Sequence, residues 1–146
     1  MEVVQSSCNP GFITLGQRLG KEKLIDYIQA YGFGSRLGID YPGEGSGIVF
    51  SPEQMGPVEM ATTSFGQGVS VTPLQQLMFV GAVANGGELL RPYFVSEILD
   101  PDGNVAEKQE RKVIRQIMSP ETAHEMAEVM EQVILDGSGI NAHIEG

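Results

Sequence analysis

Two stretches of this chain hold side chains whose types and spacing could do chemistry. In the first, Ser6-Ser7-Cys8-Asn9-Pro10-Gly11-Phe12, a hydroxyl and a carboxamide stand two positions apart at Ser7 and Asn9. Residues two apart in an extended piece share a face, so this pair could both donate to and accept from an amide substrate. A structural reading competes with it: Ser or Asn just ahead of Pro10 would cap a helix by accepting from its unpaired N–H groups. On spacing alone the cap is the simpler of the two. The second stretch, Thr62-Thr63-Ser64-Phe65-Gly66-Gln67-Gly68-Val69-Ser70-Val71-Thr72-Pro73-Leu74-Gln75, is rich in hydroxyls and glycine. A phosphate loop would need a lysine, and no basic residue lies between Arg36 and Arg91. Phe65-Gly66-Gln67-Gly68 therefore reads as a tight turn that admits a helix to the core.

Other reactive side chains are sparse. Cys8 is the single cysteine, so neither an internal disulfide nor a cysteine-based zinc framework is open to the chain. His124 sits among Glu121, Glu125 and Glu128 at helical spacing and reads as a solvated helix position, and His143 has no companion ligand. No metal and no organic cofactor is expected. A catalytic role for the Cys8 thiol is disfavoured, because no histidine lies near it in sequence. The formal net charge of -10, from 19 acidic and 9 basic residues, argues against a nucleic-acid partner, since no basic stripe exists to displace counterions. The longest apolar run, 77–84, is broken by Gly81 and falls far short of the roughly 20 residues of a membrane span, so the chain itself is expected to be soluble.

The elements that must carry these residues announce themselves by their starts. Ser51-Pro52, Thr72-Pro73 and Ser119-Pro120 each place a capping hydroxyl before a proline that has no N–H to leave unpaired. Gln54 and Gln75 stand where a capping box wants them. After Thr72 the chain is apolar on most faces through residue 84, which predicts a buried helix stopped by Asn85-Gly86-Gly87. After Ser119, residues Ala123, Met126, Ala127, Met130, Val133 and Ile134 repeat at three and four, predicting a helix with one packed face, ended at Gly137-Ser138-Gly139. Upstream, Phe12, Leu15 and Leu19, then Leu24, Ile25 and Ile28, predict a helix-turn-helix over 10–31 that turns at Gly20. Residues 32–50 have no period and read as a long loop, of the kind that is usually functional or poorly ordered. Segments 93–99 and 112–118 are β-prone and flank the strong turn Asp100-Pro101-Asp102-Gly103, which predicts a hairpin with 107–112 at its exposed edge.

Taken together and in order, these segments resemble the transpeptidase domain of class B, or high-molecular-mass, penicillin-binding proteins. The likeness is carried by Ser7-Cys8-Asn9 followed by Pro-Gly-Phe, by Gly32-Phe33-Gly34 to Pro42-Gly43-Glu44, by Ser64 to Gln75, by Ala84-Asn85-Gly86-Gly87 and by Arg91-Pro92. The wording around Cys8 is most similar to the division and sporulation branch. That family works through Ser-x-x-Lys, Ser-x-Asn and Lys-Thr/Ser-Gly, and only the middle motif is present here. No serine has a lysine three residues on, and none of Lys21, Lys23, Lys108 and Lys112 opens the third motif. The resemblance thus implies that residues 1–146 are part of a transpeptidase domain, from the Ser-x-Asn motif to just before the third-motif strand.

The implied fold is mainly α with a small β-hairpin: the helical subdomain of the penicillin-binding-protein and serine β-lactamase-like transpeptidase fold, lacking its central sheet. The implied activity of the whole protein is D,D-transpeptidation of peptidoglycan stem peptides through a serine acyl-enzyme, with β-lactams as acylating mimics. Ser7 and Asn9 would be the catalytic pair of this chain, with Asn9 also binding substrate and the side chain of Cys8 turned away. The parent would be membrane-anchored at the outer face of the bacterial cytoplasmic membrane. The chain alone is expected to be inactive and to self-associate through uncovered apolar faces. Two other functions fit the same resemblance: a β-lactam-binding sensor module, or a non-catalytic scaffold of a cell-wall assembly.

Overall fold

A computed structural model describes residues 2–144 of the chain. Among them six α-helices and two short two-stranded antiparallel sheets alternate with long loops, and no larger sheet is formed. The first three helices are α1 (Glu2–Gln5), α2 (Asn9–Leu19) and α3 (Lys21–Ala30). Gly20 separates α2 from α3 with φ 85°, a left-handed conformation that glycine adopts without a Cβ penalty. The sequence-predicted helix-turn-helix is therefore present, with Ile25 as its buried anchor.

Ser51 does open a capping box with Gln54, yet only a single 3-10 turn follows, Pro52–Gln54. Gly56 and Pro57 restart the chain into α4 (Pro57–Ser64), an element the sequence reading left out, where the Glu59 carboxylate accepts from the Gly56 N–H at 3.0 Å. Helix α4 lies so close to α2 that any Cβ at Gly16 would strike the Ser64 hydroxyl. Helix α5 (Pro73–Ala84) begins at Thr72 with its full capping box, the Thr72 hydroxyl accepting from Gln75 N at 3.1 Å and Gln75 Oε1 from Thr72 N at 2.9 Å. It ends as expected, with Gly86 and Gly87 in left-handed conformations and Gly87 N donating to Ala82 O at 2.7 Å. It is not buried all round, however: Leu77 is 66% and Val80 36% exposed.

The predicted hairpin needs correction in its pairing. Its turn is where it should be, with the Asp100 carboxylate accepting from the N–H groups of Asp102 and Asn104. But β2 (Glu97–Leu99) pairs with β3 (Val105–Lys108), not with 112–118. A tight turn returns the chain at once onto its neighbour, and Lys108 meets Glu97 across the strands at 2.9 Å. The later segment instead forms β4 (Val113–Gln116), antiparallel to β1 (Glu88–Leu90), which the sequence reading did not identify. Ile114 and Ile117 need cover, and β1 supplies it through the fully buried Leu89. The main core gathers Leu37, Ala82, Leu89 and Ile117, with Tyr31, Met78, Phe79, Ile114 and Met118 around them. Burying Leu89 contributes about 1.5–3 kcal/mol.

Helix α6 (Pro120–Asp136) closes the description. Ser119 Oγ caps it by accepting from Thr122 N at 3.1 Å. Ala123 is buried and Met126, Ala127, Met130, Val133 and Ile134 are half-buried, while Glu125 and Glu128 face solvent as the spacing predicts; Gln132, expected on the same wet face, is half-buried. His124 is an exposed helix residue 3.4 Å from Glu128. Helix α6 packs on α5 and on α1, and through α1 it reaches the first candidate segment.

Candidate active site

The described part of helix α1 is a single turn, Glu2–Gln5. It ends in a Schellman arrangement: Cys8 N donates to Val3 O at 2.9 Å and Ser7 N to Val4 O at 3.1 Å. That closure requires a left-handed residue at the position normally given to glycine. Here Ser7 takes it, with φ 50°, the one non-glycine residue with positive φ among those described. The cost for an L-residue is roughly 1–2 kcal/mol, tolerated only where the surroundings over-determine the turn. Residues 7–9 are thus a left-handed turn and not an extended piece, so the shared-face argument for Ser7 and Asn9 does not hold in its original form.

The capping alternative is also answered. Helix α2 begins at Asn9 with Cys8 at the N-cap, and no side chain caps it. The Cys8 carbonyl accepts from Phe12 N at 3.0 Å, as an N-cap backbone should. Ser7 and Asn9 are both exposed, and Cys8 between them is half-buried. The two polar side chains are therefore presented outward at a rigid turn without serving the helix that follows.

The turn is fastened from both sides. On one side Gly11 lies against Val3, at a distance where a Cβ would come to 2.8 Å from both Val3 methyl carbons. On the other, Gln5 reaches the end of α6: its Nε2 donates to Asp136 O at 2.9 Å, and its carbonyl accepts from Ser138 N at 3.1 Å. Sequence reasoning missed Gln5, since a pairing across more than a hundred residues leaves no local pattern. Gly137-Ser138-Gly139 was legible only as a helix end.

Most of the polar groups of the second candidate segment are bonded within the chain, the buried Thr63 hydroxyl being without a partner among the described residues. Thr62 and Ser64 close α4 by donating to the carbonyls of Val58 and Met60 at 3.0 and 2.7 Å. Gly66 turns with φ 85°, and Gly68 packs so tightly on Thr63 that a Cβ would strike its hydroxyl. Ser70 forms a two-way bridge with Ile48, at 2.7 and 2.9 Å. Gln75, 1% exposed, then gathers the long loop 32–50, its Nε2 donating to Ser35 O and Ser46 O at 2.8 Å each and more weakly to Gly32 O at 3.3 Å. Loop carboxylates complete the work. Glu44 accepts from Leu37 N and Gly38 N, and Asp40 from Phe94 N and Val95 N. Those two N–H groups, with help from Arg91, hold the Asp40 carboxyl below the usual carboxylate range. A recess of about 270 Å³ beside this loop is lined by Ile39, Tyr41, Thr72, Leu74 and Phe94 and includes neither Ser7 nor Asn9.

The comparisons with known proteins cover the full chain. The family model for the penicillin binding protein transpeptidase domain matches residues 1–146. Stage V sporulation protein D of Bacillus subtilis is 52% identical over 147 residues, covering 100% of this chain and 23% of that protein. The probable peptidoglycan D,D-transpeptidase PenA of Neisseria meningitidis is 29% identical over 145 residues, 99% of this chain and 23% of that protein. Among solved structures, penicillin-binding protein 3 of Mycobacterium tuberculosis complexed with aztreonam superposes with a TM-score of 0.88 at 30% identity, over 99% of this chain and 34% of that one. The same protein complexed with ampicillin gives 0.88 over 97% and 33%. This chain spans about a quarter of the length of the curated relatives it matches. The mainly helical fold and the small sheets agree with these neighbours, and the division and sporulation branch suggested by the wording around Cys8 takes in the Bacillus relative. On the full-length match of the family model, this chain belongs to the penicillin-binding protein transpeptidase domain family.

Proposed function

We propose that residues 1–146 are the part of a peptidoglycan D,D-transpeptidase domain that carries its Ser-x-Asn motif. The nucleophilic Ser-x-x-Lys and the Lys-Thr/Ser-Gly strand belong to other parts of the whole protein. The reaction is a double acyl transfer. A serine hydroxyl attacks the D-Ala-D-Ala amide of a stem peptide, an ester forms, and the terminal D-Ala leaves as an amine that must collect a proton. The amine of a second stem peptide then attacks the ester and regenerates the serine. Ser7 relays the proton between the nucleophile region and the leaving amine, and Asn9 hydrogen-bonds the donor peptide's amide and helps hold the nucleophile's lysine partner. Expelling an amine unprotonated is slow, and such acid help is worth about 10²- to 10⁴-fold. β-Lactams acylate the same serine. The whole protein is anchored in the bacterial cytoplasmic membrane with this domain at its outer face.

The observation that carries this reading is the outward display of Ser7 and Asn9 at a strained turn that serves no cap. Strained backbone at polar residues clusters at functional sites, which supports a role for Ser7 there. Alone, the chain is inactive, because Ser7 has no lysine to activate it, and it self-associates through apolar positions such as Leu77 and Val80. The test is a titration of the full-length protein and of the 146-residue chain with a fluorescent penicillin, followed by a stem-peptide donor. The expected result is labelling and transfer by the full-length protein only. Labelling without transfer would make the protein a β-lactam sensor, and no labelling would make it a scaffold. Covalent labelling of the isolated chain at Ser7 would overturn the auxiliary role given to that residue. Light scattering of the isolated chain as a strict monomer would remove self-association.

A further inference from the structure

We infer that Gln5 is a positioning residue for this reaction, acting through the Ser7 turn; the inference rests on the role proposed above for Ser7 and Asn9. Three observations converge on it. The described turn of α1, Glu2–Gln5, leads directly into Ser7, with Gln5 two residues before it. The left-handed Ser7 closes that helix, so any shift of α1 moves Ser7 directly. Besides the packing of α1 on α6, Gln5 makes the hydrogen bonds between α1 and the end of α6 among the described residues, and makes two at once, the side chain donating to Asp136 O at 2.9 Å and the backbone carbonyl accepting from Ser138 N at 3.1 Å.

Gly137 makes the contact possible. A Cβ there would stand 2.6 Å from Gln5 O and 2.7 Å from Val133 O, both backbone atoms that cannot swing aside. Its φ of -133° is open to any residue, so the need for glycine at this position is one of space only. The side-chain bond also uses an acceptor that the last turn of a helix leaves unpaired, which ties the orientation of the turn to the axis of α6. A proton relay depends on distance and angle more than on affinity, and a displacement of about 1 Å can cost 10²-fold in rate. Loss of the tie should therefore slow acylation without weakening the initial encounter.

The experiment uses the full-length protein and labelled penicillin, with the concentration dependence separating the first-order acylation constant from half-saturation. Gln5→Met keeps the length and removes the donor. Gln5→Lys keeps a donor at similar reach. Gly137→Ala leaves Gln5 in place and pushes on its carbonyl. Gln5→Met and Gly137→Ala are expected to lower the acylation constant about tenfold or more, with half-saturation within about twofold, and Gln5→Lys to retain most of the rate. Melting temperatures are recorded on every variant, and rates are referred to the folded fraction, so that a purely structural role shows as a lower melting temperature with an unchanged rate. That outcome overturns the inference, as does an equal loss in Gln5→Met and Gln5→Lys. Ser7→Ala is measured in parallel. If it slows acylation and Gln5→Met does not, the positioning role fails alone. If Ser7→Ala leaves the rate unchanged, the reading of the site fails and takes the positioning role with it.

Discussion

Two loop-to-helix junctions in this chain are built from the same two kinds of side chain, a hydroxyl and a carboxamide, and use them in opposite ways. At Thr72 and Gln75 both are committed inward. The hydroxyl caps α5, and the amide is buried, with its oxygen on Thr72 N and its nitrogen on carbonyls of the 32–50 loop. At Ser7 and Asn9 both are turned out, and α2 starts without help from either. The first junction is stable because its polar groups are satisfied within the chain. The second leaves its groups free for something outside it, at the cost of a left-handed serine. Residue type alone does not distinguish a structural polar pair from a functional one; what each pair is bonded to does.

The comparison predicts opposite responses to mutation. The largest effect is expected at the outward pair: Ser7→Ala in the full-length protein should slow acylation by about 10²- to 10⁴-fold, with the melting temperature nearly unchanged. An unchanged rate with a lowered melting temperature would make both junctions structural and dissolve the contrast. Next is Gln75→Leu, which strands the buried carbonyl of Gly32 and the part-buried carbonyls of Ser35 and Ser46 and should lower stability by about 1–3 kcal/mol in denaturant titration, while the folded fraction acylates normally. Thr72→Ala removes only the cap hydroxyl and is expected to cost about 1 kcal/mol by the same measurement.

A smaller effect of opposite sign sharpens the contrast. Ser7→Gly relieves the left-handed serine but frees the unfolded chain, for a net gain of roughly 0.5–1 kcal/mol, and should slow acylation as much as alanine does. Smallest is the exposed Asp40. Its carboxyl is held low in the fold by Phe94 N and Val95 N, so its contribution is present above the ordinary carboxylate range and is lost as pH falls through the lowered value. The difference in unfolding midpoint between the natural chain and Asp40→Asn should accordingly shrink on acidification.

Helix starts were legible wherever the signal was local. Thr72 and Ser119 cap the helices their sequences announce, because an N-cap needs only its next three residues. Ser51 shows the limit of that logic: its box is real, but Gly56-Pro57 interrupts before a helix can grow. Helix α4 escaped notice because its end is made of Thr62, Thr63 and Ser64, which read as loop, whereas the Thr62 and Ser64 hydroxyls bond back to the helix's own carbonyls. Strand β1 is three residues with no alternation, and its partner lies across the hairpin, so only tertiary packing on Leu89 defines it. The candidate residues Ser7 and Asn9 were visible as a motif, but the left-handed turn that presents them was not, since no glycine marks it.

The tie between Gln5 and the end of α6 also orders events in time. Gln5 and Asp136 are 131 residues apart, so during synthesis the first of them waits for all the residues between them to appear. At about 5–20 residues per second that wait is roughly 7–26 s, long compared with the microseconds in which a helix or hairpin forms. The hairpin and the α5 capping box need no such distant partner and can close on their own. The Ser7 turn cannot be locked by this tie until α6 is in place, so of these elements the turn is the last to be fixed.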